Sequence, residues 1–163
     1  MSLETVQADL AVRAPDLRVI VTDASTATVD LAAAVHGVAP GQIAKTLAIR
    51  VGDREFLLVT RGDARLSNQK AKAAFGGRPR MLGPEDVLRL TSHQVGGVCP
   101  FGLPAPLTIY CDVSLRIYDE VIPAGGSTHA SVRLPRERLV ALCGGNWVDA
   151  CDVPEGAAAQ PQI

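Results

Sequence analysis

Two apolar runs, residues 43–51 and 55–60, flank the tetrapeptide Val51-Gly52-Asp53-Arg54. Such runs on either side of a Gly-Asp pair read as two paired strands joined by a tight turn. That hairpin anchors a sheet, and it makes one position conspicuous. In Ile43-Ala44-Lys45-Thr46-Leu47-Ala48-Ile49 a period of two sets Lys45 in phase with Ile43, Leu47 and Ile49. Ala44, Thr46 and Ala48 occupy the other face. An ammonium among large aliphatics is costly to bury unpaired, so it meets an anion or gives up its proton. Lys45 is therefore either a cation aimed at a ligand's carbonyl or phosphate oxygen, or a lysine on a locally exposed strand face.

Around the hairpin, helical and strand patterns alternate without internal repeats. Leu3, Val6 and Leu10 recur at helical spacing behind Ser2, which predicts a helix over 3–13. A short strand is expected over 17–21. Thr28 can cap a helix that Gly37 ends. A further helix is expected from Ser67 to Phe75 with Gly76-Gly77 as its stop, and Pro84 suits the first turn of another. Strands are expected at 107–111, 119–122 and 129–134, then a helix from Pro135 to near Gly144 and a last strand over 147–151. The connections are too varied for a regular βαβ array. They predict a mixed α/β fold, with a curved mixed sheet and helices packed around it.

With 163 residues, 47% of them hydrophobic, the chain has the size and apolar content of one domain, expected over residues 1–153. The segment 154–163, without periodicity, reads as a flexible tail. Aromatics are only 4%, so the core must rest on Ala, Val, Leu and Ile. No apolar run approaches the ~20 residues of a membrane helix. Glu4 and Asp9 break up the N-terminus before any signal pattern can form. The expectation is a cytoplasmic protein with no membrane partner. Cys99, Cys111, Cys143 and Cys151 form no C-x-x-C pair, which favours reduced thiols over a zinc site or disulfide framework. His36, His93 and His129 make no H-E-x-x-H cluster, so neither a metal nor another cofactor is expected.

Charge is unevenly spread. Arg61, Arg65, Lys70, Lys72, Arg78 and Arg80 face the single acid Asp63 between residues 61 and 80, a local +5 against −6 elsewhere. The stretch is either a phosphate-tracking patch or a solvated helix face.

Two glycine-rich segments stand out. Val95-Gly96-Gly97-Val98-Cys99-Pro100-Phe101-Gly102 describes a fixed backbone path with little side chain to block a ligand. Its free N–H groups can hold an anion or a developing oxyanion, or it can be a tight structural turn. Ala124-Gly125-Gly126-Ser127-Thr128-His129 leads into a strand with His129 at its entrance, at a pocket rim or facing solvent. Cys99 invites a nucleophile reading with His93 or His129 as base, but the following Pro100 keeps it off a nucleophile elbow.

These segments together resemble the YbaK/EbsC-like aminoacyl-tRNA deacylases, relatives of the prolyl-tRNA synthetase editing domain. Thr28 to Ala34 followed by Gly37 to Leu47 (GVAPGQIAKTL) is similar to that family's opening helix, turn and K-[TS]-L strand. Gly62-Asp63 ahead of a lysine-bearing helix fits, as does Thr91 leading to a G-x-x-x-P loop in Gly96 and Pro100. Asp112 to Leu115, Ala124-Gly125-Gly126 and the strand from His129 to Leu134 complete the series in order.

The resemblance implies a barrel-like mixed sheet and hydrolysis of the ester between a wrong amino acid and the 3′ end of tRNA. It implies Lys45 as the essential lysine and Gly96, Gly97, Val98, Cys99 and Pro100 as the substrate-binding loop. Gly125, Gly126 and His129 fall where the family lines its amino-acid pocket. Water or a substrate group attacks, and no protein nucleophile is implied. His93 replaces a tyrosine common in the family, and Cys99 a serine or proline. The implied partners are mischarged tRNA and, as a recruiter, an aminoacyl-tRNA synthetase, with the protein acting in trans. A non-catalytic regulatory protein on the same fold and a Cys99-dependent hydrolase are the alternatives.

Overall fold

Helix α1 (Ser2–Arg13) turns Val6 and Leu10, four residues apart, into the core. An Asp9–Arg13 ion pair at the same spacing supports its outer side. These are the first elements of a computed structural model that describes residues 2–154; the expected tail beyond Pro154 lies outside the described residues. After α1 the Leu17 N–H turns back on the Ala14 carbonyl at 2.9 Å, so β1 begins only at Val19 (Val19–Val21).

Helix α2 (Val29–His36) starts where the Thr28 hydroxyl accepts the Leu31 N–H at 3.2 Å and stops at Gly37, whose φ of 68° is left-handed. The expected hairpin follows as β2 (Ile43–Val51) and β3 (Arg54–Arg61), with Gly52 at φ 63° in its turn. Then come β4 (Arg65–Leu66) and α3 (Asn68–Phe75), capped by Ser67 and ended by Gly76 at φ 79°. Next are β5 (Arg80–Met81) and α4 (Pro84–Thr91), with proline in its first turn beside Glu85 and Asp86.

The remaining strands are β6 (Ile109–Asp112), β7 (Glu120–Pro123), β8 (Ala130–Val132) and β9 (Leu134–Pro135); α5 (Arg136–Leu142), β10 (Trp147–Val148) and β11 (Cys151–Asp152) close the chain. The strand expected over 129–134 is thus divided. Val132 pairs with Val19 of β1, whereas Leu134 pairs with Val121 of β7, and the chain changes partner at Arg133. The strand expected over 147–151 divides too. Trp147 and Val148 run beside β6, but the buried Asp112 carboxylate accepts the Ala150 N–H at 2.8 Å, and Cys151 moves over to β4.

The main sheet has the order β10-β6-β3-β2-β7-β9, with β5 on the second edge of β2, and it curls into a half-barrel. β2 and β3 are antiparallel, while β6 joins β3 and β7 joins β2 in parallel. The β1–β8 ribbon is tethered to the end of β7 by an Ala124–Ser131 bridge.

Both faces of the central hairpin are covered. Ala44, Ala48, Leu57 and Val59 pack with Val6 and Leu10 of α1 and Leu139 of α5. On the opposite face Ile49, Val51, Phe56 and Leu58 pack with Ala71 and Phe75 of α3. Three of the six aromatics meet there, with the Phe56, Phe75 and Tyr110 ring centroids 4.6 to 5.2 Å apart. Burying a side chain such as Phe75 contributes about 1.5–3 kcal/mol. Helix α2 lays Ala32 and Ala33 on Ile43 and Ile122 and so walls one end of β2.

Candidate active site

Strand β2 is only partly paired on the edge away from β3. β7 reaches it at Ile43 and Ala44, and β5 at Ile49 and Arg50, with the Leu82 N–H adding a bond to the Ala48 carbonyl at 3.0 Å. Between these contacts lies a gap centred on Thr46. A cavity of about 270 Å³ opens over this gap. Its floor is Ala44, Thr46 and Ala48 with Ala124 and Ser131; its walls are Val29 and Ala32 of α2, Leu82, and Val87 of α4. The small residues on one face of β2 leave room that larger side chains would fill.

Three loops make the rim. The Thr128 carbonyl accepts the Thr26 N–H at 2.6 Å and the Thr26 hydroxyl at 3.2 Å, which fastens segment 22–28 to segment 124–129. Gly96, at φ 97°, sits between them; a Cβ there would lie 3.1 Å from Thr128 Cγ2 and 3.2 Å from Ala27 Cβ. The Gly126 N–H donates to the Gly97 carbonyl at 3.1 Å, so the two glycine loops are joined backbone to backbone. Among the described residues, neither the Gly96 nor the Val98 N–H meets an acceptor. Both residues line the cavity and have donors free for a ligand.

Lys45 also lines the cavity. Its ammonium is turned toward the turn after β3 and donates to the Ala64 carbonyl at 2.5 Å. Burial lowers its pKa from the ordinary lysine value, opposed by the nearby Cys151 and Asp63. One carbonyl does not neutralise the charge, but the ammonium meets a ligand oxygen only by leaving Ala64.

The other residues singled out from sequence are arranged around this centre. Gly97, Gly125 and Gly126 are buried packing points of the rim. A Cβ at Gly125 would lie 2.9 Å from Val19 Cγ1, and one at Gly126 would lie 2.7 Å from the Ser2 carbonyl oxygen. His129 is exposed at the entrance of β8, with Nδ1 2.9 Å from the Thr128 hydroxyl. Pro100 lines a separate groove between α1 and the 102–107 loop.

Cys99 is fully buried, and burial pushes its thiol up to about 12. Its Sγ lies 3.5 Å from His93 Nε2. That nitrogen is 2.7 Å from the Phe101 carbonyl, which can only accept, so Nε2 carries the proton and is not a base for the thiol. His93 Nδ1 accepts from the Ser2 hydroxyl. The histidine thereby ties α1 to the loop from inside the core and does not line the cavity.

The basic stretch needs correction. Arg61 is 2% exposed and forks onto Asp63 through bonds of 2.9 and 2.7 Å, with Tyr118 beside it. Lys70 is held by Asp149 and Asp152, each at 3.2 Å. Arg65, Lys72, Arg78 and Arg80 are exposed and form no ion pair among the described residues. The surface charge available to phosphates is therefore smaller than the composition of 61–80 implies.

Thr46 and Ser131 also line the cavity, though neither is a candidate site residue by sequence. The available signal was the run of small side chains in phase with Thr46, which in a core strand marks unfilled space. Nothing local marked Ser131, because its position on the cavity floor depends on the Ala124 bridge.

Among the described residues no three His, Cys, Asp or Glu side chains converge as a metal site, and no helix is long and apolar enough to cross a membrane. An apolar cleft bordered by free backbone donors suits a small acyl compound. The chain belongs to the aminoacyl-tRNA editing domain family, whose pattern matches residues 23–142. It is 43% identical over 131 residues to the uncharacterized protein YwhH of Bacillus subtilis strain 168, covering 79% of this chain and 83% of that one. It is 28% identical over 99 residues, 60% of this chain, to the proline–tRNA ligase of Desulfitobacterium hafniense, of which the match spans 17%. The crystal structure of a proposed trans-editing enzyme for prolyl tRNA synthetase superposes with a TM-score of 0.86 at 37% identity, covering 93% of this chain and 97% of that one.

Proposed function

We propose that the protein is a trans-acting aminoacyl-tRNA deacylase that hydrolyses the ester of a mischarged tRNA. The observation that carries this reading is the cleft over the β2 gap, where Lys45 and the free N–H groups of Gly96 and Val98 border one apolar cavity. In an editing-domain fold this arrangement suits an aminoacyl ester. The apolar walls take a small side chain, and the loop amides and the Lys45 ammonium hold the polar terminal nucleotide and stabilise charge on the carbonyl oxygen. The buried, protonated Cys99 thiol favours attack by water or by a hydroxyl of the substrate over a covalent acyl-enzyme. Kinship with a proposed trans-editing enzyme for prolyl tRNA synthetase favours that synthetase as the source of the mischarged tRNA.

The test is deacylation across a panel of tRNAs charged with alanine, serine, threonine, cysteine and proline, starting with tRNA for proline. Wild-type protein is expected to clear at least one of them. Lys45→Ala, folded by circular dichroism, is expected to lose ~10²–10³ in rate, the usual effect of removing one preorganised stabiliser. Equal rates for both proteins would make the lysine structural. No turnover on any member, with tRNA binding retained, would favour a non-catalytic role.

A further inference from the structure

The geometry points to the aminoacyl group binding as a one-residue β-strand on Thr46, a mode that requires a free α-amino group; it rests on the deacylase reading above. The β2–β3 register runs without a bulge from Ala44 opposite Arg61 to Val51 opposite Arg54. Leu57, opposite Ala48, sends its N–H the other way, to the Thr108 carbonyl at 3.0 Å. Ala48 and Leu57 are therefore a pair that exchanges no hydrogen bonds. By the two-residue period of an antiparallel ladder, Thr46 and Val59 are another. The Thr46 N–H and C=O thus point away from β3 into the gap between β7 and β5. The Thr46 hydroxyl is also buried and without a partner. Two backbone groups of one residue thus face an otherwise apolar cleft, where each costs free energy until a ligand or water meets it.

A residue that pairs with both the N–H and the C=O of one strand residue must run antiparallel to it, because a parallel neighbour divides those bonds between two residues. An aminoacyl ester has the matching groups: its ammonium donates to the Thr46 carbonyl, and its ester carbonyl accepts the Thr46 N–H. The gap from Ala44 to Ala48 spans ~13 Å, room for one residue with its two ends. Antiparallel direction puts the ester oxygen and ribose toward Ala44, Ala124 and the Gly96 loop, where the free loop amides lie. It puts the amino end toward Ala48, whose carbonyl is already taken by Leu82. An acyl group on that nitrogen would run into Leu82. For an L-residue the side chain lies on the Thr46 face, against Ala48, Val87 and Val98. The site therefore accepts free aminoacyl esters and rejects N-acylated ones such as formylaminoacyl or peptidyl esters.

The test is amide NMR of ¹⁵N-labelled protein titrated with 3′-alanylamino-3′-deoxyadenosine, its N-acetyl derivative, and adenosine. The aminoacyl analogue is expected to move the Thr46 amide and slow its exchange. The N-acetyl derivative is expected to bind about tenfold or more weaker. Adenosine is expected to move the Gly96 and Val98 amides without moving Thr46. Thr46→Val, which keeps the backbone groups, is expected to retain the discrimination against the N-acetyl derivative. Shifts at Gly96 and Val98 with Thr46 unmoved by the aminoacyl analogue, or equal affinity for the two derivatives, would overturn the strand mode and leave the deacylase reading in place. No response at any cleft amide, together with no deacylation across the tRNA panel, would overturn both.

Discussion

The Gly126 N–H meets the Gly97 carbonyl at 3.1 Å, and a methyl group added to Gly97 would sit 2.7 Å from the Ser127 nitrogen and 2.9 Å from the Gly126 carbonyl carbon. The rim of the cleft exists because two glycine loops approach with no side chain between them. Gly97→Ala must therefore push backbone away from backbone. The expected result is a protein that retains its helical circular dichroism, melts lower by several degrees, and loses at least ~10-fold in deacylation. Wild-type activity in Gly97→Ala would show that the loop junction does not position substrate.

His93 gives the fold a pH dependence of known sign. Burial holds its pKa below the ordinary 6.5. Above 6.5 neither folded nor unfolded chain binds the proton; below it the unfolded chain binds first. Stability is therefore full above 6.5 and falls as pH drops through the folded value. His36, also lowered by burial, acts in the same direction. Urea midpoints measured between pH ~7 and ~5 should decline for wild type. The decline should be shallower in His93→Gln, which is less stable at neutral pH. Parallel slopes in the two proteins would remove His93 from this role.

Cys99 separates the two hydrolytic mechanisms. Its thiol is enclosed and protonated, and the adjacent imidazole nitrogen is a donor to Phe101. Cys99→Ala should keep at least ~10% of wild-type deacylation. Mass spectrometry of a rapidly quenched reaction should show no acyl adduct. A trapped adduct, with activity lost in both Cys99→Ala and Cys99→Ser, would establish covalent catalysis.

The exposed cations after β3 should contribute to tRNA affinity through counterion release. The double variant Lys72→Gln/Arg78→Gln should flatten the salt dependence of tRNA binding by about one logarithmic unit per charge removed. Arg61→Gln should instead lower stability, since it leaves Asp63 unpaired at the end of β3. An unchanged salt slope in the double variant would confine recognition to the aminoacylated end.

Much of the framework was legible in the residues themselves. The Thr28, Ser67 and Gly37 caps, proline in the first turn of α4, and the two-residue turn at Gly52 are local chemistry, and local chemistry can be read from a window of a few residues. The motif series from Lys45 to the second glycine loop was legible for the same reason. What could not be read was where strands change partner. Arg133 and Asp149 interrupt runs that look continuous, because Val19, Val121 and the Asp112 carboxylate, distant in sequence, compete for the adjoining backbone. The charge of 61–80 was countable, but the burial of Arg61 and the tie from Lys70 to Asp149 and Asp152 needed the third dimension. Lys45 announced itself by breaking the apolar pattern of its strand. Thr46 is an ordinary strand residue by sequence; it borders the cleft because β7 ends at Pro123 and β5, running antiparallel, ends at Met81, which leaves its N–H and carbonyl facing the gap. Pairing along a strand edge is decided by what packs beside it, and that is a property of the tertiary structure alone.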